Sequence, residues 1–133
     1  GKGMAADLAG DILRSHGCPH FQVDCSGDLL LGEAPDSDSG WSIATEVEGL
    51  TLAVPSNHAV ACSGDLHQFL LHDGNRYSHI MDPRTGQAVT NQNLIFVLAP
   101  TATQADAWAT ALSVESELFR PKHIQTVQYP SSK

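Results

Sequence analysis

Residues 78–86, S-H-I-M-D-P-R-T-G, bring together polar side chains of the kinds that bind ligands. They include the imidazole of His79, the carboxylate of Asp82, the guanidinium of Arg84 and the hydroxyl of Thr85. Proline has no N–H for a strand ladder and glycine permits a positive φ, so the chain should leave its sheet here at a rigid corner. Such a corner can hold binding groups on a stiff support, or its polar groups can simply satisfy the backbone of a tight turn.

Asp106 and Thr110 are four residues apart in a segment that the sequence predicts to be helical, so both should lie on one face. A carboxylate and a hydroxyl at this spacing can hold Mg²⁺, which takes oxygen ligands and keeps waters and phosphate oxygens among them. The alternative is structural. Asp106 would then favour the positive end of the helix dipole, and Thr110 would bond back to a helix carbonyl.

Three further residues, together with His79, are candidates for contacts with a ligand. Lys2 is the cation nearest the start of the first predicted helix, and Asp28 and Asp65 each follow a glycine at the end of a predicted strand. The alternatives are a solvated lysine and aspartates that cap turns through their own backbone. His79 can likewise be a partly buried hydrogen-bond donor without a chemical role.

The histidines and cysteines do not form a pattern typical of metal sites. His16 and His20 lack a second clustered pair, and a glycine and a proline interrupt any helix between them, so zinc is not predicted. Cys18, Cys25 and Cys62 fit neither a paired disulfide framework nor a Cys-x-x-Cys motif. We expect buried or half-buried free thiols. A disulfide between Cys18 and Cys25 is the alternative for an exported protein.

The length and charge of the chain exclude several classes of protein. A chain of 133 residues is expected to form one domain. The net charge is −8, and the seven Lys and Arg residues form no cluster, so nucleic-acid binding is not expected. No apolar run approaches the ~20 residues of a membrane span. With so acidic a surface, a phosphate-binding site must use local donors or a metal ion.

The predicted order of elements, a helix followed by many strands and then a second helix, indicates an α+β fold with a mostly antiparallel sheet and flanking helices. Met4, Leu8 and Ile12 recur at helical spacing within a predicted helix at residues 2–16. A second helix is predicted at 104–115, capped by Thr103. An Asp73-Gly74 hairpin turn should precede the corner. Strands are predicted at residues 21–24, 29–31, 41–44, 50–54, 59–63, 69–71, 77–80, 94–99 and 124–127.

Five short motifs, in order, resemble those of the ApbE family, the FAD:protein FMN transferases. They are G-K-G-M-A-A-D at residues 1–7, S-G-D at 26–28 and again at 63–65, H-I-M-D-P-R-T-G at 79–86 and A-D-A-W-A-T-A-L at 105–112. The resemblance covers residues 1–114. We therefore expect a core portion at 1–116, followed by a C-terminal tail or edge strand at 117–133.

The resemblance implies roles for the candidate residues. Asp106 and Thr110 match magnesium ligands of the family, and Thr103 falls where some members have a further, acidic ligand. The side chain of Thr103 is neutral, so it is expected to be a weaker ligand.

The same resemblance implies an FAD site. His79 would act near the pyrophosphate as phosphoryl charge develops, with Ile80 beside it. Lys2 would contact the flavin or a phosphate. Asp28 and Asp65 would lie near the cleft, within reach of the ribityl or adenosine hydroxyls.

The activity implied by the resemblance is transfer of FMN from FAD to a Thr or Ser hydroxyl of an acceptor flavoprotein, with Mg²⁺. Family members are usually more than twice this length, and the chain opens within a motif, so we expect an N-terminal segment or a second chain to complete the site. Location in the cell envelope is expected, with membrane anchoring only through sequence outside this chain. The alternatives are a flavin-binding module without transferase activity and a degenerate structural or interaction domain.

Overall fold

The computed structural model describes residues 1–36, 40–64, 68–90 and 93–130. These ranges contain the helices α1 (Lys2–Ser15) and α2 (Ala102–Val114), neither of which is long and apolar enough to cross a membrane. The strands of the described ranges are β1 (Gln22–Cys25), β2 (Asp28–Leu31), β3 (Trp41–Ala44), β4 (Thr51–Val54), β5 (Ala59–Ser63), β6 (Phe69–His72), β7 (Asn75–Ser78), β8 (Met81–Asp82), β9 (Gln87–Ala88), β10 (Asn93–Ala99) and β11 (Gln125–Pro130).

The central sheet has the strand order β1-β2-β5-β10-β11, and every neighbouring pair is antiparallel. Val97 of β10 pairs with Ala61 of β5 on one side and with Thr126 of β11 on the other. β11 therefore forms one edge of the sheet. With both helices packed on this sheet, the predicted α+β class is confirmed.

The continuous apolar run of β10 is explained by burial on both faces of the sheet. Ile95 and Val97 belong to the core cluster that includes residues of both helices. Leu94, Phe96 and Leu98 belong to a second cluster beneath the β3–β4 hairpin. Successive residues of a strand point to opposite faces, so a strand covered on both sides loses its polar alternation.

α1 meets the rest of the molecule through small residues. Gly3, Ala6 and Gly10 are buried, whereas the large side chains of Met4 and Ile12 are exposed. A Cβ at Gly3 would clash with the carbonyl oxygen of Ala102 in α2. The missing side chain is therefore what allows the first turns of the two helices to touch.

α2 begins at Ala102, two residues before the predicted start, and the prediction that Thr103 caps it is wrong. The cap is Thr101, whose φ of −131° and ψ of 151° are extended. Its hydroxyl oxygen accepts a hydrogen bond from the backbone N–H of Gln104 at 3.2 Å. Both threonines precede the apolar helix, so the sequence alone does not distinguish them.

Two small hairpins surround the predicted corner. The β6–β7 turn has φ values of 48° at Asp73 and 76° at Gly74, in agreement with the predicted hairpin turn. β7 ends at Ser78, so the prediction that the strand continues to Ile80 is wrong. β8 then pairs with β9 in a two-residue hairpin. Gly86, with a φ of 67°, lies in its turn.

The three cysteines described are free thiols. Cys25 is half-buried, as predicted, but Cys18 and Cys62 are exposed, so the prediction of burial is wrong for these two. Cys18 is the third residue after the end of α1, where the chain runs along the surface before β1 begins.

We expect Gly3→Ala to lower the free energy of unfolding by about 1–3 kcal/mol, because the new methyl group would overlap backbone atoms of Ala102. This loss opposes the gain of about 1 kcal/mol that alanine brings to a helix interior. Urea denaturation measures the balance. The matched substitution Gly10→Ala, in the same helix, meets mainly the movable end of the Leu30 side chain and should cost less. A Gly3→Ala variant as stable as the parent would contradict the tight helix contact.

Gly86→Val should destabilise the protein by about 1 kcal/mol or more, because a β-branched residue is strained at a positive φ. There is no steric contribution, since nothing lies within 4 Å of a Cβ at this position. Gly86→Asn is the control, because asparagine tolerates left-handed backbone and should lose less stability. Equal melting temperatures for Gly86→Val and the parent would show that Gly86 does not need this conformation.

Candidate functional site

Two cavities border the first turn of α1. The sheet cavity, of about 580 Å³, is lined by Lys2, and the helix cavity, of about 690 Å³, is lined by Gly1 and Met4. Successive residues of one helical turn thus face different cavities. Both volumes are in the range of small-molecule sites.

The sheet cavity combines an apolar floor with a polar rim. Its floor includes side chains of the core beneath the β3–β4 hairpin, and its rim carries Lys2, Glu46 and His79. Cys62 also opens onto it. Although Cys62 is exposed by its accessible surface, the protein around it desolvates the thiolate, and this effect, with added repulsion from Glu46 and Asp28, raises the pKa of the Cys62 thiol to about 12. A raised pKa favours the protonated thiol over the nucleophilic thiolate at neutral pH.

Lys2 is fixed by two contacts. Its Nζ donates to the carbonyl oxygen of Ser26 at 3.1 Å and lies 3.4 Å from Oδ2 of Asp28. It is therefore held over the loop between β1 and β2, although about half of the side chain remains exposed. In this position an ammonium group can meet an anionic ligand in the sheet cavity.

Asp28 is a buried carboxylate whose charge is incompletely compensated. It is 2% exposed, and within the described ranges its Oδ2 accepts no hydrogen bond. Burial raises its pKa, repulsion from Asp106 raises it further, and the Lys2 ammonium acts in the opposite direction. Because the folded state holds the proton more tightly, ionisation of Asp28 lowers stability as the pH rises above the ordinary carboxyl range.

His79 lies at the rim of the sheet cavity directly after β7. Its Nδ1 is 3.0 Å from the carbonyl oxygen of Gln68, and its backbone N–H donates to the same oxygen at 3.3 Å. A carbonyl only accepts, so the proton of the neutral ring lies on Nδ1. Nε2 is then left as an acceptor, or as a donor once the ring is protonated. The ring is thus fixed at one nitrogen and available at the other.

The helix cavity contains the three predicted metal ligands on one face of α2. Oδ2 of Asp106 accepts from the backbone N–H of Gly3 at 3.1 Å. The hydroxyl of Thr110 donates to the carbonyl oxygen of Asp106 at 3.1 Å, and that of Thr103 donates to Asp7. The structural bond expected for Thr110 is therefore present, and its oxygen lone pairs can still coordinate a cation.

These oxygens fit Mg²⁺ as part of its ligand set. No group of three or more His, Cys, Asp or Glu side chains able to hold a metal occurs in the described ranges. Mg²⁺ is commonly held by one or two carboxylates together with waters and substrate phosphates, so Asp106 with threonine oxygens suits it in the presence of a phosphate ligand. A cation would also offset the repulsion between Asp28 and Asp106.

The corner between β8 and β9 is tied to the end of α2. Arg84 donates through Nε and Nη2 to the carboxylate of Asp82 and through Nη1 to Glu115 at 3.1 Å. The Arg84 hydrogen bonds lower the pKa of Asp82. Asp82 Oδ1 also accepts the backbone N–H of Arg84 at 2.9 Å, which forms an Asx-type turn. These bonds fix one wall of the helix cavity.

Two predicted ligand-binding residues, Ile80 and Asp28, line neither of the two cavities. Ile80 is buried, with its N–H bonded to Ser78 Oγ and its carbonyl oxygen to the N–H of Val89. Asp65 lies outside the described residues. The sequence predicted no role for Asp7, although this residue lies in the opening motif. It is the sixth residue of α1, and nothing near it in the sequence indicates a partner on α2.

Comparisons with known proteins show which proteins this chain is similar to. The chain is 33% identical over 123 residues to the FAD:protein FMN transferase of Vibrio cholerae, which is 87% of this chain and 37% of that protein. It is 32% identical over 121 residues to the FAD:protein FMN transferase of Escherichia coli, with coverage of 86% and 34%.

Solved structures give the same result. The crystal structure of the ApbE protein of Thermotoga maritima matches with a TM-score of 0.75 at 31% identity, over 86% of this chain and 39% of that one. The apo form of the Pseudomonas stutzeri flavinyl transferase ApbE matches with a TM-score of 0.71 at 28% identity, over 96% and 46%.

The chain spans less than half of the length of each of these four relatives, from 34% to 46%. Within that part, the ApbE family profile matches residues 1–127, beyond the predicted division at residue 116. The match extends from the opening motif past α2 and into β11, so it includes the elements that border both cavities. This chain therefore belongs to the ApbE family.

Proposed function

We propose that this chain is the portion of an FAD:protein FMN transferase that holds the FAD pyrophosphate and Mg²⁺. The observation that carries the proposal is the common border of the two cavities. The first turn of α1 separates Lys2 and His79 on one side from Asp106 and Thr110 on the other. A pyrophosphate at this border would meet cationic and imidazole groups from one cavity and metal-ligating oxygens from the other.

The reaction would be a phosphoryl transfer. A new bond forms between the FMN phosphorus and the acceptor Thr or Ser oxygen, the bond from that phosphorus to the bridging oxygen breaks, and AMP leaves with that oxygen. The acceptor hydroxyl gives up its proton. In such reactions positioning and electrostatic stabilisation supply most of the catalysis. The acceptor is a flavoprotein that presents a Thr or Ser hydroxyl.

The residues of this chain have distinct tasks in that reaction. Lys2, fixed over the β1–β2 loop, binds and orients a phosphate or the flavin. His79 donates from Nε2, when protonated, to a phosphoryl oxygen as charge develops. Asp106 and Thr110, with Thr103 as a further oxygen, would hold Mg²⁺, which when bound neutralises phosphate charge.

The apolar floor of the sheet cavity favours the flavin ring on that side. Side chains such as Leu52 and Phe96 offer a dry surface to a planar ring, whereas the polar rim suits the ribityl and phosphate groups. The chain spans 37% of the Vibrio cholerae relative, so a second candidate is a flavin-binding portion that does not transfer FMN by itself.

The first test is FAD binding, followed by flavin fluorescence with and without Mg²⁺. We expect Mg²⁺ to strengthen binding to the parent chain and Asp106→Asn to remove that gain. The loss should be about 1.5–3 kcal/mol, because the amide keeps an acceptor for the Gly3 N–H but lacks the charge. Asp11→Asn, on the exposed side of α1, is the control. Equal FAD binding by the parent with and without Mg²⁺ and by Asp106→Asn would refute the metal site.

The second test is FMN transfer to a threonine-containing acceptor peptide, measured by mass spectrometry with FAD and Mg²⁺. The chain alone should give a negligible adduct. A fusion to the part of a relative that this chain does not cover should give a clear one, since oriented binding can supply ~7–11 kcal/mol of a barrier. In the fusion, His79→Ala should lower the transfer rate by about 10²–10³-fold.

The matched control is His20→Ala, because the His20 ring is also exposed and bonded to a carbonyl oxygen, that of Glu33. Efficient transfer by the chain alone would show that the rest of the relatives' sequence is dispensable. A fusion that binds FAD but transfers nothing would favour the flavin-binding candidate.

A further inference from the structure

The amino-terminal end of α2 is held by a side chain from the other helix. Oδ1 of Asp7 accepts the backbone N–H of Ala102 at 2.8 Å, and Oδ2 accepts the N–H of Thr103 at 2.9 Å and its hydroxyl at 2.6 Å. With Thr101 bonded to Gln104, two side chains satisfy three N–H groups of the first turn. A carboxylate is well suited to this position, since the helix dipole is positive there.

The arrangement is reciprocal. Oδ2 of Asp106, in the second turn of α2, accepts the N–H of Gly3 in the first turn of α1 at 3.1 Å. Each helix therefore begins against a carboxylate supplied by the other. Gly3 allows the close approach, since a Cβ would collide with Ala102 and come within 2.9 Å of the Asp106 Cβ. We name these three residues, Gly3, Asp7 and Asp106, the helix clasp.

The helix clasp also limits where an anion can bind near the start of α2. Free N–H groups at the start of a helix are a ready site for phosphate. Here Asp7 already occupies the N–H groups of Ala102 and Thr103, and its negative charge repels a phosphate. A phosphate ligand is thereby directed away from the helix end and towards the face that carries Asp106 and Thr110.

We propose that Asp7 is a positioning residue of the site: it fixes the first turn of α2 against α1 and so sets the carboxylate of Asp106 for Mg²⁺ and pyrophosphate. Asp7 touches neither ligand in this proposal and acts through the helix clasp. The part that concerns Mg²⁺ rests on the proposed function, whereas the part that concerns the Asp106 carboxylate can be tested without any ligand.

The test uses Asp7→Asn in the full chain. The amide oxygen can still accept one N–H, but the amide NH₂ cannot accept from the N–H or the hydroxyl of Thr103. Asp11→Asn is the matched control: it is the same substitution, one turn further along α1, at a side chain that is 75% exposed and paired with Arg14.

The first readout is amide hydrogen exchange by NMR. We expect Gly3, whose N–H is bonded by Asp106 and not by Asp7, to lose protection in Asp7→Asn by about ten-fold more than Val97 does. Val97 lies in the central strand and reports global stability, so a variant that is only less stable would lower both equally. Asp11→Asn should change neither. Gly3 protection that falls only as much as that of Val97 would overturn the proposal.

The second readout is the ratio of FAD affinities with and without Mg²⁺, measured at a temperature where all variants are folded. The ratio should fall by about ten-fold in Asp7→Asn and stay at the parent value in Asp11→Asn. A parent-like ratio in Asp7→Asn would overturn the role of Asp7 towards Mg²⁺. If the FAD affinity of the parent chain is the same with and without Mg²⁺, the proposed metal site is refuted instead. In that case the hydrogen exchange of the Gly3 amide alone decides whether Asp7 positions Asp106.

Discussion

The contact between the first turns of α1 and α2 is the constraint on which the site depends. Gly3 lets the two backbones touch, and carboxylates from each helix satisfy the N–H groups of the other. Satisfying these donors is necessary, because a helix end buried without partners is costly. The same contact places one turn of α1 between the two cavities. The position of the helix ends therefore also sets the geometry of the site.

The sheet is the support for this contact. β10 is buried on both faces, with one face covered by the helices and the other by the β3–β4 hairpin. Asp28, at the start of β2, and His79, after β7, come to the site from different hairpins and are held by backbone bonds around them. The buried charge of Asp28 costs stability, which Lys2 only partly offsets. Asp28 lines neither cavity, but its ion pair with Lys2 connects this buried charge to the rim of the sheet cavity.

Local sequence patterns predicted the structural elements that depend on residues close together in the chain. The helices, most strands and the Asp73-Gly74 turn follow from periodicity and turn residues. The sequence did not reveal that Asp7 caps a helix 95 residues away, because capping rules concern side chains beside the helix end. The sequence also predicted that Thr103 caps α2, but the hydroxyl of Thr103 donates a hydrogen bond to Asp7. The ion pair between Lys2 and Asp28 was not predicted either, because these two residues are also far apart in the sequence.

The helix clasp joins residues that are far apart in the chain, with a sequence separation of 103 for Gly3 and Asp106. Closing so long a loop costs conformational entropy before any contact is gained, and such contacts are slow to form during folding. Consider a state of the chain in which the central sheet is formed while the two helix ends remain apart. It would have walls for both cavities but no common border between them. Ligand binding at that border would therefore report contact between the two helix ends rather than the presence of secondary structure.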